Sequence, residues 1–247
     1  MDYGPFGWMD NYDPLFAKWT GSGDHYAFLN QPGAAIANYH TLVTSMGPLL
    51  GPDAEPRLVE LLRAGAETIR SAASDTFRLK MGFGASGSEV ASSLWEALDT
   101  LMRKSNIDYT IFWRQLAAVV ELPEDSEGEA LVAPLTVAFY ADPSAELLTE
   151  WASWLQQWRD AVVDSHGGGS DTAAIAAELR AVNPKYVPRE WMLAEAYNAA
   201  ARGDFGLVHE MHALFQRPYD EQPEWEAKYF RRAPLDALTQ GGLAYMT

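Results

Sequence analysis

From Gly33 onward, apolar side chains recur every three or four residues, as in Leu58, Leu61, Leu62, Ala66 and Ile69, or Leu94, Leu98, Leu101 and Met102. This is the period of a helix that buries one stripe and wets the rest. The same spacing predicts helices over Asp108 to Val120, Ala145 to Val163, Asp171 to Val182, Pro188 to Ala201 and Phe205 to Phe215. Pro188 suits a first helical position, where its missing N–H costs nothing. Strand candidates are few; Leu131 to Tyr140 has β-branched residues, but the helical period resumes at Ala145. The expected fold is therefore mainly α.

The segment before Gly33 is different. Residues 1–32 are dense in Gly, Pro, Asp and aromatics and show no helical or alternating period. Such a segment is irregular, packed down by its aromatics, and suited to carrying a site. The acidic stretch Glu121 to Glu129 and the triplet Gly167, Gly168 and Gly169 read as exposed connections. These breaks divide the chain into an irregular segment over 1–32, a helical body over 33–166 and a C-terminal helical subdomain over 167–247. No internal repeat is present.

Composition narrows the partners. Against 34 Asp and Glu the chain sets only 18 Lys and Arg, a formal charge of -16. That field repels phosphate backbones and removes the counterion release that drives nucleic-acid binding, so no nucleic-acid partner is expected. No apolar run approaches the roughly 20 residues of a membrane span, and no membrane association is expected. With no cysteine there are no disulfides, thiolate metal sites or thiol nucleophiles, and the compartment stays open.

The most informative motif opens the chain: Asp2-Tyr3-Gly4-Pro5-Phe6-Gly7-Trp8-Met9-Asp10. An Asp followed by an aromatic and a Gly is the arrangement by which protein kinases place a carboxylate on Mg²⁺ beside nucleotide phosphates. Alone, the triplet equally describes a turn. Further blocks follow in order: Tyr26-Ala27-Phe28 with Asn30-Gln31-Pro32, then Asp108-Tyr109-Thr110-Ile111-Phe112-Trp113-Arg114-Gln115-Leu116, then Asn183-Pro184-Lys185-Tyr186-Val187, Gly203-Asp204-Phe205, and Pro218-Tyr219-Asp220-Glu221-Gln222-Pro223. Together they resemble the selenoprotein O family from residue 2 to about residue 230, with Trp8 where the family has Phe.

The resemblance implies the C-lobe and C-terminal helical extension of a protein-kinase-like fold, with the N-lobe absent from these residues. It implies transfer of AMP from ATP to Ser, Thr or Tyr hydroxyls of protein substrates, with Asp2 as the ligand of Mg²⁺ or Mn²⁺ and as the chain's contribution to the ATP site. The family's catalytic Asp, its ATP-gripping Lys and its phosphate-binding Arg residues lie upstream of the Asp-Tyr-Gly block, so no catalytic residue is assigned here. The isolated chain is then expected to be inactive without that N-terminal half, which becomes its first partner, and an apolar surface near Met1 to Trp8 is expected to be uncovered. The family's Cys or selenocysteine near the C-terminus has no counterpart in this sequence. The competing reading is a non-catalytic helical interaction module, a truncated pseudoenzyme. Phosphoryl transfer in the ordinary kinase sense is a third.

Other signals carry less. Gly82-Phe83-Gly84-Ala85-Ser86-Gly87 matches a dinucleotide-binding fingerprint, but Glu67 to Met81 before it reads as a helix and not as the strand that motif requires, so a helix-to-helix turn is expected. His209 and His212 share a helical face without the spacing or third ligand of a zinc site. Asp10, Asp13 and Asp24 are candidates for a second cation site, with turn capping as the simpler role. Trp151, Trp154 and Trp158 read as a buried stripe, His25 and His40 as packing or surface residues, and His166 as solvated.

Overall fold

The computed structural model describes residues 8–16, 23–84, 87–168 and 171–237. Among them the architecture is helical, with two isolated β-bridges, Asn11 with Asp108 and Ile107 with Phe139, and no extended strand. The helices are α1 Gln31–Leu50, α2 Glu55–Lys80, α3 Ser88–Ser105, α4 Tyr109–Val120, α5 Glu129–Val132, α6 Ala145–Ser165, α7 Thr172–Val182, α8 Glu190–Ala200, α9 Gly206–Phe215 and α10 Pro223–Tyr229. None is long and apolar enough to cross a membrane.

Several starts are written locally. Asp108, Ser144 and Asp171 cap α4, α6 and α7 by accepting the backbone N–H of Ile111, Leu147 and Ala173 at 3.0, 3.2 and 3.0 Å. Each satisfies one of the donors that a helix start leaves open. Two expectations shift. The stretch Leu131 to Tyr140 is α5 followed by a 3-10 turn, Ala133–Ala138, because its inward residues Leu131, Val132, Leu135 and Ala138 follow a helical spacing against α4 and α6. Pro188 precedes α8, which Arg189 caps, since the Arg189 N–H still turns back to the Val187 carbonyl.

The chain forms two compact units, and their boundary falls inside α2, between Phe77 and Arg78. The smaller unit, described over residues 13–16 and 23–77, holds α1 and most of α2. Its helices approach closely where Tyr39 lies over Gly65: a β-carbon there would sit 2.1 Å from the Tyr39 ring, so only glycine allows the contact. Among its described residues Ala27, Ala34 and Val43 are buried apolar side chains, while Leu42, Met46, Leu49, Leu50 and Val59 are exposed.

The larger unit, residues 8–12 and 78–247, contains the main core. Helix α4 is its axis, buried on nearly every side through Ile111, Phe112, Trp113, Leu116, Val119 and Val120. Trp151, Trp154 and Trp158 form the expected inward stripe of α6. Each indole N–H is satisfied, by Ser105 Oγ at 2.8 Å, the Leu94 carbonyl at 3.0 Å and the Met81 carbonyl at 2.9 Å. The stripe thus fastens α6 to α3 and to the turn after α2 by directed bonds as well as apolar contact. A second cluster, Tyr186, Trp191, Met192, Met211, Leu214 and Tyr229, holds α8, α9 and α10 together.

Candidate functional site

Asp2, the residue to which the sequence points, lies outside the described residues, as does the surface expected around Met1 to Gly7; Trp8 is partly exposed. The chain that leads away from it is firmly held in the larger unit. The Tyr12 N–H donates to the Ile107 carbonyl and the Tyr109 N–H to the Asp10 carbonyl, both at 2.9 Å. Tyr12 stacks on Tyr109 with ring centroids 5.6 Å apart, and its hydroxyl donates to Asp99 at 2.5 Å. Burial, reinforced by Asp99, pushes the Tyr12 phenol well above its ordinary pKa, so it remains a donor. Residues 10–12 therefore form a fixed point at the head of α4 from which the preceding segment departs.

Beneath that point lies a buried ion cluster. The Arg189 guanidinium donates two hydrogen bonds to the Asp108 carboxylate, at 2.5 and 3.0 Å, and contacts Asp10 at 3.3 Å. Arg189 is 1% exposed and Asp108 is fully buried. Burial alone would lower the Arg189 pKa, but Asp108 and then Asp10 outweigh it and hold the pKa above its usual value. Tyr140 donates to the same carboxylate at 3.2 Å. Asp108 thus caps α4, pairs with the start of α8 and accepts from the segment after the 3-10 turn, joining three distant parts of the chain.

A second cluster joins the remaining motif blocks. Arg114 on α4 donates to the carbonyls of Arg180, Asn183 and Tyr219 and to the Glu221 carboxylate, at 2.8, 2.9, 3.1 and 2.5 Å. Lys185 reaches Glu221 and Glu226, each at 2.8 Å. Burial opposes the charge on Glu221, but Lys185 and Arg114 outweigh it and hold its pKa below the ordinary carboxylate value. The Tyr186 hydroxyl donates to the Glu221 and Gln222 carbonyls at 2.9 and 3.1 Å, and Gln222 itself adopts the left-handed region with φ 41°. These contacts fix α10 against the end of α7.

A family model described as protein adenylyltransferase SelO matches residues 1–216, most of the chain and all but the last of the quoted blocks. The chain belongs to the SelO family. Among curated proteins it is similar to protein nucleotidyltransferase YdiU of Flavobacterium johnsoniae, 30% identical over all of this chain and 46% of that protein. To YdiU of Aromatoleum aromaticum it is 34% identical over all of this chain and 45% of the relative, and to that of Vibrio vulnificus 35% identical over 92% and 44%. The chain spans a little under half the length of the curated relatives it matches.

In this SelO-family chain the blocks that carry the resemblance are, where described, mostly structural. Asp108, Arg114, Lys185 and Glu221 are committed to ion pairs and caps. The other signals resolve similarly. Gly82 to Gly84 lie in the turn between α2 and α3, where Gly82 has φ 81° and Arg78 donates to the Phe83 and Gly84 carbonyls. His209 and His212 are exposed on α9 around the buried Met211. Asp13 closes a turn on the Leu15 N–H at 2.8 Å, Asp10 turns to Arg189, and no group of three or more acidic or histidine side chains able to hold a metal occurs among the described residues. His166 is more engaged than its glycine neighbours imply: it ends α6, contacts the Val162 carbonyl at 2.9 Å and reaches Glu178 at 3.2 Å. Sequence reading missed Lys80, since a single lysine ending a helix has no motif. The structure sets its Nζ 2.8 Å from Asn183 Oδ1 and 5.0 Å from the centre of the Trp113 ring, where burial draws its pKa down to about 8.

Proposed function

We propose that this chain is the C-lobe and helical extension of a protein adenylyltransferase, that Asp2 serves its ATP and metal site, and that AMP passes to Ser, Thr or Tyr hydroxyls of protein substrates. Membership of the SelO family, through a match that includes Asp2, is the observation that carries this reading. In the reaction the hydroxyl oxygen attacks the α-phosphorus of ATP, the bond to the bridging oxygen breaks, and pyrophosphate leaves. The hydroxyl proton passes to a base that the resemblance locates in the N-terminal half. A divalent cation, Mg²⁺ or Mn²⁺, would supply positive charge against the charge developing on pyrophosphate.

Magnesium requires a near-octahedral oxygen shell. Among the described residues no group of three or more acidic or histidine side chains is placed to supply such a shell. The described residues contribute fixed geometry, with Asp10 to Tyr12 held at the head of α4, and positional error at a reacting centre is expensive. The chain alone is expected to transfer no AMP.

The test joins residues 1–247 to the N-terminal half of a YdiU relative and follows label from α-labelled ATP into protein, with mass spectrometry to separate AMP from phosphate. Transfer by the joined protein, its dependence on Mg²⁺ or Mn²⁺, and its loss in Asp2→Ala are expected. Undiminished transfer by Asp2→Ala, or equal transfer by residues 1–247 alone, would overturn the assignment. A joined protein that folds but never binds Mg²⁺-ATP would favour the interaction-module reading, which the exposed apolar side chains of α1 also suit.

A further inference from the structure

Helices α3 and α6 pack side by side in the larger unit and leave a furrow along their outer surface. Its floor is Leu94, Leu101 and Trp154, all buried, and the Trp154 indole fixes that floor by donating to the Leu94 carbonyl at 3.0 Å. The walls stay low because the residues that rise from them, Ser93 and Ala97 on α3 and Ser153 on α6, are small and exposed. Two hollows of about 400 and 410 Å³ result, and both are lined by Gln157, so they form one furrow. It runs along α3 from Glu89 to Leu101, about 18 Å, the length of a helix of about twelve residues.

The furrow is bordered by acid. On α6 the positions Glu146, Glu150, Ser153, Gln157, Asp160 and Asp164 recur at intervals of three and four, so they share one helical face, and all but two are carboxylates. Glu89 adds another from α3 at the Gln157 end. At the opposite end Lys104 is neutralised by Glu150 at 2.9 Å. The single base of α6, Arg159, is buried and turned to the carbonyls of Leu122 and Pro123. Among the described residues Glu89, Glu146, Asp160 and Asp164 meet no cation. Asp160 and Asp164 also stand in the last turns of α6, where the helix's own dipole disfavours negative charge and a cation from outside would be favoured.

We propose that the α3–α6 furrow docks a helix of a partner protein that sets small or aliphatic side chains into it and carries Lys or Arg along its margins. The low walls let a third helix approach to the usual 8–10 Å between packed axes, and the unpaired carboxylates select its charge. A second copy of this chain is a poor occupant, because each copy carries a charge of -16 and would bring acid to an acidic border.

The experiment titrates the 247-residue chain into a fluorescent synthetic peptide of about 15 residues, about 22 Å long as a helix, with Ala and Leu on one face and Lys beside it. Two further peptides have the same residues in scrambled order, or Glu in place of Lys. The Lys peptide should bind one to one and saturably, more weakly as salt rises; the scrambled peptide should bind about tenfold more weakly and the Glu peptide not at all. Ala97→Trp or Ser153→Trp, each at an exposed position, should fill the furrow and weaken the Lys peptide about tenfold or more. Glu89→Gln with Asp160→Asn should weaken it several-fold and flatten the salt dependence. Amide shifts of the wild-type chain, concentrated on α3 and α6, locate the peptide without any variant and decide alone should the variants not fold. Absence of saturable binding, equal binding of the scrambled or Glu peptide, amide shifts centred elsewhere, or undiminished binding by folded Ala97→Trp overturns the proposal. A dimer of the chain alone that Ala97→Trp dissolves would assign the furrow to a second copy and overturn it as well.

Discussion

Replacing Arg189 with Met tests how the larger unit is held together. The guanidinium makes bonds of 2.5 and 3.0 Å to Asp108, and neither side chain is more than 1% exposed. Without Arg189 the Asp108 carboxylate keeps only the Ile111 N–H and the Tyr140 hydroxyl, at 3.0 and 3.2 Å. Removing one partner of a buried pair leaves an uncompensated charge and costs about 3–5 kcal/mol. With a urea m-value of about 3 kcal/mol per M, a loss of about 4 kcal/mol moves the midpoint down by about 1.3 M. Asp10→Asn is the comparison: its carboxylate lies 3.3 Å from Arg189, longer than either Asp108 bond, and its side chain is 15% exposed, so a smaller loss than for Arg189→Met is expected. Urea unfolding followed by tryptophan fluorescence reads both. In a double-mutant cycle Arg189→Met and Asp108→Asn should cost less together than the sum of their separate costs. A loss below about 1 kcal/mol for Arg189→Met, or equal losses for Arg189→Met and Asp10→Asn, would refute the reasoning.

Trp158→Ala should cost about 3–5 kcal/mol by thermal or urea unfolding, because a fully buried indole and its bond to the Met81 carbonyl are both lost. Gly65→Ala should loosen α1 from α2, read as faster amide exchange in those helices, since its methyl would occupy the position of the Tyr39 ring. In phosphate-free buffer the Lys80 amine should titrate near 8 by NMR; because this is below its ordinary 10.5, the unfolded chain binds the extra proton, and this group's contribution to stability rises with pH between those values. The lowered Glu221 pKa acts in the opposite range: the hold of Arg114 and Lys185 on α10 is complete above 4.5 and is lost as pH falls through the folded pKa, measurable as exchange of the Tyr229 amide.

The helices were legible because their apolar period is strong. The stretches read from Asp108 and Asp171 begin at the residues that cap α4 and α7, and the one read from Ala145 begins one residue after the cap Ser144. The Trp151, Trp154 and Trp158 stripe was equally plain, since three indoles on one helical face have few other uses. The stretch Leu131 to Tyr140 was not, because a short apolar run fits a strand or a buried helical turn and only packing against α4 and α6 decides. Lys80 was hidden for a related reason: its surroundings come from α4 and from Asn183, far away in sequence, and no local pattern announces them.

Family blocks are often read first as chemistry, but several here mark geometry that cannot be changed piecemeal. Arg114 is useful only where the Asn183 and Tyr219 carbonyls and Glu221 converge, and Lys185 only where Glu221 and Glu226 do. Changing one member leaves the others buried and unpaired, a penalty that acts on stability whether or not the protein catalyses anything. The same blocks would therefore persist in an active transferase and in a relative that had lost activity. Asp2 stands apart because the resemblance gives it a role in the chemistry itself, and it lies outside the described residues. Chemistry at Asp2, and not the integrity of the helical body, is what separates the transferase reading from the interaction-module reading.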